Sequence, residues 1–301
     1  MARIGWWRRI GIVALVFFGL VVLGRLFFPV SMPHIELPAE TVFSPFGIPI
    51  TNTMLAAWLT ILVMGVISYA ATRRMKLVPR GLQNILEAGV AALINFVENV
   101  AGKEYGRKFF PVLATIFIFV IANAWLALLP GFMSIGFWHT DGEEQFLVPL
   151  FRGANTDINV PLALALVSFI FVEYWGFRSQ GFLRYLSKFV NVRRFLSGTG
   201  QMLRGRIRRG LGALFTGIID VFAGFIELVS EVVRIISFTF RLFGNMTAGE
   251  ILIFSMVFLI PWVAVIPFYG LELFLGFVQA LIFCGLTLVF LVMAVSPREE
   301  H

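Results

Sequence analysis

Long apolar runs separated by short polar segments are the dominant pattern of this 301-residue chain. Residues 10–24, 54–71, 109–129 and 160–177 each form such a run. Runs of this kind, nearly free of charge, are typical of membrane helices, because about 20 apolar residues cross the hydrocarbon core. The pattern therefore predicts an all-α membrane protein with about four near-vertical spans in this part of the chain.

The first apolar run has two interpretations. Residues 10–24 follow three arginines near the N-terminus, which is the arrangement of a signal peptide. No small-x-small cleavage site follows, and Arg25 interrupts the run, so an uncleaved extra span is favoured over a cleaved signal. Residues 1–48 are expected to hold this span or signal and an outer loop, ahead of one domain at residues 49–296.

Basic residues fall on alternate sides of the predicted spans. Residues 73–108 carry several Arg and Lys, and residues 178–210 carry nine basic residues and no acid. Residues 30–50 and 131–158 carry few basic residues. Because cytoplasmic loops are enriched in Lys and Arg, the two basic segments and both termini are predicted to be cytoplasmic. The loop at 178–210 is expected to contact anionic lipid headgroups, not nucleic acid.

Residues 82–100 differ from the apolar runs because polar and apolar positions are mixed. This mixture predicts an amphipathic helix that lies in the membrane interface. The span at residues 109–129 follows it and is expected to end at Pro130-Gly131.

The C-terminal region, residues 211–295, is too long for one span. Pro261 and Pro267 divide it into a helix at about 212–260 and a second at about 270–294. A helix of ~48 residues would reach ~70 Å, over twice the ~30 Å hydrocarbon core. It must therefore tilt steeply or bend, and the region is predicted to be a long, strongly tilted helical hairpin.

Four charged residues recur at intervals of seven along the first helix of this hairpin. Seven residues return to within about 20° of the same helix face, so the four form one polar stripe. On the second helix, Glu272 and Gln279 also lie seven apart. Two packed helices whose polar stripes face each other or another protein are therefore predicted. The first stripe consists of Asp220, Glu227, Arg234 and Arg241.

Arg241 is the most informative residue of this stripe. Its guanidinium is always protonated, and holding one at membrane depth costs from about 3 to over ~10 kcal/mol. No acid lies three or four residues away on its own helix, so its partner must come from elsewhere in the chain or from another subunit. Movement of an ion is the favoured role. For Glu231 and Arg234, three residues apart, a buried structural ion pair is the alternative.

Composition excludes several classes of protein. Hydrophobic residues make up 59% of the chain and charged residues 14%, which excludes a soluble globular domain. Cys284 is the only cysteine and the three histidines are scattered, so neither a metal site nor a cofactor is expected. No Walker-type phosphate loop occurs, so the chain is not expected to bind ATP or to hold a catalytic site.

One segment of the long helix forms a long and specific motif. This segment is Arg241-Leu242-Phe243-Gly244-Asn245-Met246-x-Ala248-Gly249-Glu250. It is accompanied by Asp157-Ile158-Asn159, Asn123 with Leu128-Leu129-Pro130, Glu227, and Gln279-Ala280. Together they resemble the signature of subunit a, the stator proton channel of F-type rotary ATP synthases, and the resemblance covers about residues 40–296. The unsplit, prokaryotic form of the signature indicates a bacterial inner membrane.

The resemblance implies a mechanism. The arginine would face a rotating ring of c subunits, each bearing one membrane carboxylate. Two laterally offset half-channels would bring protons to the ring and take them away, which would couple the proton-motive force to ATP synthesis. The implied partners are the c-ring, b-type subunits of the peripheral stalk and membrane lipids. A proton is favoured over sodium as the transported ion.

The same match implies roles for individual residues. Arg241 would be the essential charge between the half-channels, and Gln279 its neighbour on the facing helix. Asn123 bridging two helices and Asp157 capping the helix near residue 160 are the structural alternatives. The residues implied for the outer half-channel are Glu250, Asn245, Glu272, Asn123, Asp157 and Asn159. Those for the cytoplasmic half-channel are Glu227, with Asp220, Glu231 and Arg234 as secondary candidates.

Two departures from the family and two other functions remain open. Glu272 stands where some relatives have histidine and Leu126 where some have aspartate, so the outer relay would consist of carboxylates alone. A stand-alone proton-coupled secondary transporter is the alternative function, but no internal repeat relates residues 50–130 to residues 210–295. A structural membrane anchor is a further alternative, and it predicts that Arg241→Ala is harmless.

Overall fold

The computed structural model describes residues 38–44, 47, 49–141, 144–181, 185, 207–259 and 265–296, with scattered positions between 11 and 22. The predicted first span at residues 10–24 and most of the basic loop at 178–210 lie outside these residues.

Five long helices make up most of the described chain. Four of them, α1, α2, α3 and α5, are long and apolar enough to cross a membrane. The chain is therefore an all-α, multi-pass membrane protein, as predicted. The helices are α1 (Asn52–Thr72), α2 (Leu82–Ala127), α3 (Asn159–Gln180), α4 (Ile207–Leu259) and α5 (Ile266–Val295).

Helix α2 combines two predicted elements. Its backbone leaves helical geometry at Gly102, with φ 75° and ψ 161°. Glycine adopts this positive φ without a steric penalty, so the chain can change direction there. The residues before Gly102 correspond to the predicted interfacial helix, and those after it to the predicted span. The helix ends at Ala127, three residues before Pro130.

Two short β-hairpins occupy segments that were predicted only as non-helical loops. β1 (Thr41–Phe43) pairs with β2 (Ile50–Thr51), and β3 (Gly136–Asp141) pairs with β4 (Glu144–Pro149), both antiparallel. The second hairpin is in continuous register from Gly136↔Pro149 to Asp141↔Glu144. Backbone pairing satisfies the polar groups of these segments without a helix.

Contacts divide the chain into two units. The first comprises Met1–Ser68, Ile118–Asp157 and Phe243–Ala280. The second comprises Tyr69–Phe117, Ile158–Leu242 and Leu281–His301.

In the first unit, α2 and α5 approach closely. Trp125 Nε1 donates a hydrogen bond to the carbonyl of Leu273 at 3.0 Å. A Cβ placed on Gly276 would lie 2.9 Å from the Cβ of Ala124, so this contact requires glycine. Small residues allow membrane helices to approach each other this closely.

In the second unit, α3, α4 and α5 share an apolar core that also contains buried polar contacts. The ring of Phe238 packs against Phe283 and Phe290, with centroids 5.0 and 5.9 Å apart. Ser168 and Thr287 share a buried hydrogen bond of 2.8 Å between α3 and α5. These contacts confirm the predicted pairing of the two C-terminal helices.

Candidate functional site

A cavity of 250 Å³, lined by apolar side chains and several polar ones, lies within the first unit. The C-terminal part of α2, the segment before α3, and the facing parts of α4 and α5 line it. Its polar groups include carboxylates, amides and hydroxyls, and carboxylates are rare at the depth of apolar helices. Its polar lining includes Asn123, Asn155, Thr156, Glu250, Tyr269 and Glu272.

Glu250 forms a buried ion pair with Arg152. Arg152 Nε lies 2.9 Å from Glu250 Oε1, and the two side chains are only 7% and 10% exposed. Arg152 also donates to the carbonyl of Pro38 at 3.4 Å. A paired carboxylate of this kind is tolerated at depth because the guanidinium offsets its desolvation. Glu250 is therefore held in one position at the cavity wall.

Glu272 lines the same cavity from α5, and the position of its carboxylate requires a glycine on α4. A Cβ on Gly249 would overlap the Glu272 carboxylate, so α5 presents this side chain directly against the backbone of α4. Glu272 is 6% exposed, and its Oε2 has no hydrogen-bond partner among the described residues. A buried carboxyl with an unused oxygen can accept a proton or a water hydrogen. The two glutamates thus line one cavity from different helices.

Asn155 supplies a second unsatisfied group at this cavity. It is 1% exposed, and neither atom of its side-chain amide has a partner in the described part of the chain. Buried amides without protein partners commonly bond to ordered water. The cavity therefore offers sites for water between the two glutamates.

Gln279 and Asn245 connect the facing helices of the first unit. Asn245 Nδ2 donates to Gln279 Oε1 at 2.7 Å. Gln279 is 2% exposed, and its own Nε2 has no partner within the described ranges. The predicted neighbour of Gln279 is Arg241; the hydrogen bond described here goes to Asn245, one helical turn further along α4.

Asn123 acts as a bridge between elements. Its Nδ2 donates to Thr60 Oγ1 on α1 at 3.0 Å, and its Oδ1 accepts from the backbone N–H of Asn155 at 3.3 Å. The alternative in which Asn123 bridges helices is therefore what its contacts show, although the side chain also lines the cavity.

Asp157 and Asn159 do not line this cavity. Thr53 Oγ1 donates to Asp157 Oδ2 at 3.0 Å, in a buried position. The N-cap of α3 is Ile158, whose side chain makes no capping hydrogen bond. Asn159 is exposed at the first position of α3.

A larger cavity of 960 Å³ lies within the second unit. Three members of the predicted stripe line it, together with hydroxyl groups and a second carboxylate of α4. Asp220, the remaining member, is half-buried and does not line it. Its polar lining on α4 consists of Glu227, Ser230, Glu231, Arg234, Ser237 and Arg241.

Arg241 is exposed at this cavity. Its guanidinium reaches Ser237 Oγ at 3.5 Å, a long hydrogen bond to a neutral group. No ion pair to Arg241 is found among the residues that the structure describes. The charge is thus available to a group outside the described chain.

Arg234 contrasts with Arg241, because it is paired. Its guanidinium contacts the carboxylates of Glu231, three residues earlier on α4, and of Glu173 on α3 at 3.7 Å. It also lies over the Phe290 ring, 4.4 Å from the centroid. The buried ion pair considered for Glu231 and Arg234 is present, with Glu173 as an additional member.

Tyr185 completes this cluster from the chain beyond α3. It is buried, and its phenol donates to Glu173 Oε1 at 3.2 Å. Burial first, and then the nearby Glu173 carboxylate, raises the pKa of the Tyr185 phenol. The phenol therefore remains a hydrogen-bond donor.

Arg152 and Glu173 are the charged residues that sequence reasoning missed. Arg152 is the only Lys or Arg between residues 109 and 177, and it lies in a segment assigned to the acidic, non-cytoplasmic side. Glu173 is the only charged residue between residues 158 and 177. A lone charge in an apolar span is a signal of function or pairing, and Glu173 could have been found by it. Arg152 could have been found as the single basic residue of an otherwise acidic segment.

Comparisons with known proteins agree with these observations. The family described as ATP synthase A chain matches residues 54–292. The ATP synthase subunit a of Helicobacter pylori (strain Shi470) is 32% identical over 244 residues, which cover 81% of this chain and 89% of the relative.

Two further relatives give the same result. The ATP synthase subunit a of Campylobacter fetus subsp. fetus (strain 82-40) is 31% identical over 244 residues, with 81% and 89% of the two chains covered. The ATP synthase subunit a of Helicobacter acinonychis (strain Sheeba) is 30% identical over 243 residues with the same coverage. With the family matched across all five helices, the chain belongs to the ATP synthase A chain family and is a membrane subunit of an F-type ATP synthase complex.

Proposed function

We propose that the chain conducts protons to and from a rotating ring of c subunits and so couples the proton-motive force to ATP synthesis. The observation that carries this proposal is the environment of the Arg241 guanidinium. It is exposed, it lines the larger cavity together with Glu227, and its one described hydrogen bond goes to neutral Ser237. A charge this costly at membrane depth needs a carboxylate partner, and a carboxylate passing on the c-ring supplies one.

The two polar cavities support a path in two halves. In the first unit, Glu250 and Glu272 offer carboxylates beside the unsatisfied amide of Asn155. In the second unit, Glu227 lies in the same cavity as Arg241, fourteen residues away on α4. Carboxylates and water can pass a proton along, whereas an arginine cannot give its proton up. The first cavity is assigned to the outer half-channel and the second to the cytoplasmic one.

The Arg241 guanidinium then separates the two half-channels. A protonated ring carboxylate that arrives at the guanidinium loses its proton, because the fixed charge favours the ionised form. The proton leaves by one half-channel, and the next one enters by the other. One charge that crosses 100 mV is worth about 2.3 kcal/mol, so a leak past Arg241 would waste the gradient directly.

Several further assignments belong to this proposal. The transported ion is a proton, the partners are the c-ring and b-type stalk subunits, and the chain itself neither binds ATP nor catalyses its synthesis. The protein lies in a bacterial inner membrane with both termini in the cytoplasm. Asp157, Asn159 and Asp220 stay in the set of predicted path residues on the strength of the family resemblance.

The test replaces the arginine in the whole complex. Inverted membrane vesicles that carry the assembled ATP synthase with Arg241→Ala are expected to lose ATP-driven acidification. Arg241→Lys keeps the charge but not the planar guanidinium, and shows which of the two is needed. Pumping with and without sodium identifies the ion.

The matched control is Arg107→Ala. Arg107 is 74% exposed and pairs with Glu98 at 3.1 Å on α2, away from both cavities. This variant is expected to pump normally. Preserved, rotation-coupled pumping by Arg241→Ala at normal assembly would overturn the proposal and leave a structural anchor as the function.

A further inference from the structure

The length of α1 places its last residue at the surface of the membrane. The helix runs from Asn52 to Thr72, 21 residues without a charged side chain. At a rise of 1.5 Å per residue these span about 31 Å, close to the thickness of the hydrocarbon core. Tyr69, one turn before the end, is 66% exposed, and tyrosine is enriched at the membrane–water interface. The residues that follow Thr72 therefore begin at the level of the lipid headgroups.

The segment after α1, residues 73–80, contains four basic side chains and no acidic one. All four are exposed, and no ion pair to them is found in the part of the chain that the structure describes. Residues 53–86 contain neither Asp nor Glu, so no neighbour in sequence neutralises this charge. The basic residues of the 73–80 segment are Arg73, Arg74, Lys76 and Arg80.

The apolar side chains of the 73–80 segment are exposed as well. Met75 is 65% exposed, Val78 is 68% exposed, and Leu77 is fully exposed. Contact of such side chains with water is unfavourable, whereas the boundary between headgroups and acyl chains takes them up. Basic side chains interleaved with apolar ones are typical of surfaces that bind this boundary, because the phosphates lie directly above it.

The Gln83 side chain holds the 73–80 segment against the start of α2. Its Oε1 accepts the backbone N–H of Lys76 at 3.1 Å, and its Nε2 donates to the Lys76 carbonyl at 3.0 Å. The same Nε2 donates to Glu87 Oε1 at 2.6 Å, which fixes the amide on α2. The chain from Lys76 to Gln83 is thereby closed into a loop that contains Leu77 and Val78. A loop that is already ordered loses less conformational entropy when it binds a ligand.

We propose that the 73–80 segment is a binding site for an anionic phospholipid, whose phosphate lies among the four basic side chains while Leu77 and its apolar neighbours enter the acyl boundary. The site selects lipids with a net negative charge, because a zwitterionic headgroup carries an ammonium group that the basic side chains repel. This inference does not rest on proton conduction by the chain.

The experiment measures lipid contact by photocrosslinking in the assembled ATP synthase. The complex is reconstituted in phosphatidylcholine membranes with a small, equal fraction of photoreactive phosphatidylglycerol or photoreactive phosphatidylcholine, each labelled on an acyl chain. Mass spectrometry measures the yield of lipid adduct on residues 75–78. The yield with phosphatidylglycerol is expected to exceed that with phosphatidylcholine at least ~10-fold, because each basic residue near the surface favours anionic lipid about fivefold.

Two variants test the charge and the shape of the site. Arg73→Gln/Arg74→Gln removes two of the four charges and is expected to lower the preference for phosphatidylglycerol at least ~5-fold. Gln83→Ala keeps every charge but releases the loop, and it is expected to lower the preference about threefold, because the loop must then be ordered on binding.

The matched control removes two basic residues whose charges are already balanced. Arg107 pairs with Glu98 at 3.1 Å, and Lys108 pairs with Glu104 at 2.9 Å. Arg107→Gln/Lys108→Gln is expected to leave the lipid preference at residues 75–78 unchanged. An equal loss of preference in this control and in Arg73→Gln/Arg74→Gln would show a diffuse effect of net charge and would overturn the proposed site.

Three further results would overturn the inference. Equal yields with the two lipids would show that residues 75–78 contact bulk lipid without selection. Absence of adduct with either lipid would show that another subunit covers the segment. The third is full preference in Arg73→Gln/Arg74→Gln. If that variant does not assemble, salt replaces it: the preference of the unmodified complex is expected to fall at least ~3-fold at about 1 M salt, where the Debye length is about 3 Å, and a preference insensitive to salt contradicts the proposal.

Discussion

Asn245 donates a hydrogen bond of 2.7 Å from its side-chain amide to Gln279, and this bond joins α4 to α5 within the first unit. Gln279 is 2% exposed, whereas Asn245 is exposed, so the bond is partly buried. Polar pairs between membrane helices fix their register, because an alternative register would leave both amides unsatisfied. The pair therefore sets which residues of α5 face the cavity, Glu272 among them.

Loss of this pair is expected to destabilise the helical hairpin. Asn245→Ala leaves Gln279 Oε1 buried without its donor, which costs about 1–3 kcal/mol. The double variant Asn245→Leu/Gln279→Leu is expected to cost less, because no polar group remains unsatisfied. Thermal unfolding of the detergent-solubilised complex measures both. Asn84→Ala, at an exposed position of α2, is the matched control and is expected to be neutral.

Gly249 is expected to determine where the Glu272 carboxylate lies. A methyl group there would overlap that carboxylate, so Gly249→Ala must displace the end of this flexible side chain from its place against α4. Because such a side chain can move at small cost, little change in stability is expected. ATP-driven acidification is expected to fall, because Glu272 is assigned to the outer half-channel.

The matched control for Gly249 is another glycine of the same hairpin. A Cβ on Gly270 meets nothing within 4 Å, so Gly270→Ala is expected to be neutral or slightly stabilising. Equal effects of the two substitutions would show that the close approach to Glu272 is unimportant.

The fold could be predicted from the sequence mainly where the length of an apolar run requires a membrane-spanning helix. Residues 54–71 and 160–177 became α1 and α3 with small changes at their ends, because a membrane span leaves the backbone no alternative to a helix. The break at Gly102 was anticipated as a change of pattern between residues 82–100 and 109–129. The two β-hairpins were not predicted, because strand pairing in a polar loop depends on contacts that hydrophobic periodicity does not reveal.

The helices that carry the candidate site could be predicted from the sequence, but the ion pairs between elements could not. The interval of seven identified one face of α4, and three of its four residues do line one cavity. Intervals along one helix say nothing about charges on other elements, which is why Arg152 and Glu173 were missed. Both residues belong to segments that contact α4 only after folding.

The ion pair of Arg152 and Glu250 is expected to dominate the stability of the first unit. Arg152→Gln leaves a buried carboxylate unpaired, and breaking such a pair costs about 3–5 kcal/mol. The double variant Arg152→Gln/Glu250→Gln removes both charges and is expected to recover most of that loss in thermal unfolding. It is not expected to recover pumping, because Glu250 is assigned to the outer half-channel.

The control for this pair is an ion pair at the surface. Arg107→Gln breaks a contact of the same length class, 3.1 Å to Glu98, but with the arginine 74% exposed. Exposed pairs contribute about 0–1 kcal/mol, so little change in stability is expected. A similar small effect of Arg152→Gln would show that Glu250 is held by other groups.

Substitutions of Asp157 distinguish a structural role from a role in proton transport. Its carboxylate accepts a hydrogen bond from Thr53 at 3.0 Å and does not line the cavity in which Glu250 and Glu272 lie. Asp157→Asn keeps an oxygen that can accept the Thr53 hydroxyl but cannot carry a proton, so assembly is expected to be retained and pumping to fall. Asp157→Ala removes the acceptor and is expected to lower stability by about 1–3 kcal/mol. Normal assembly and normal pumping of Asp157→Asn would remove this carboxyl from the proposed proton path and leave it a structural role.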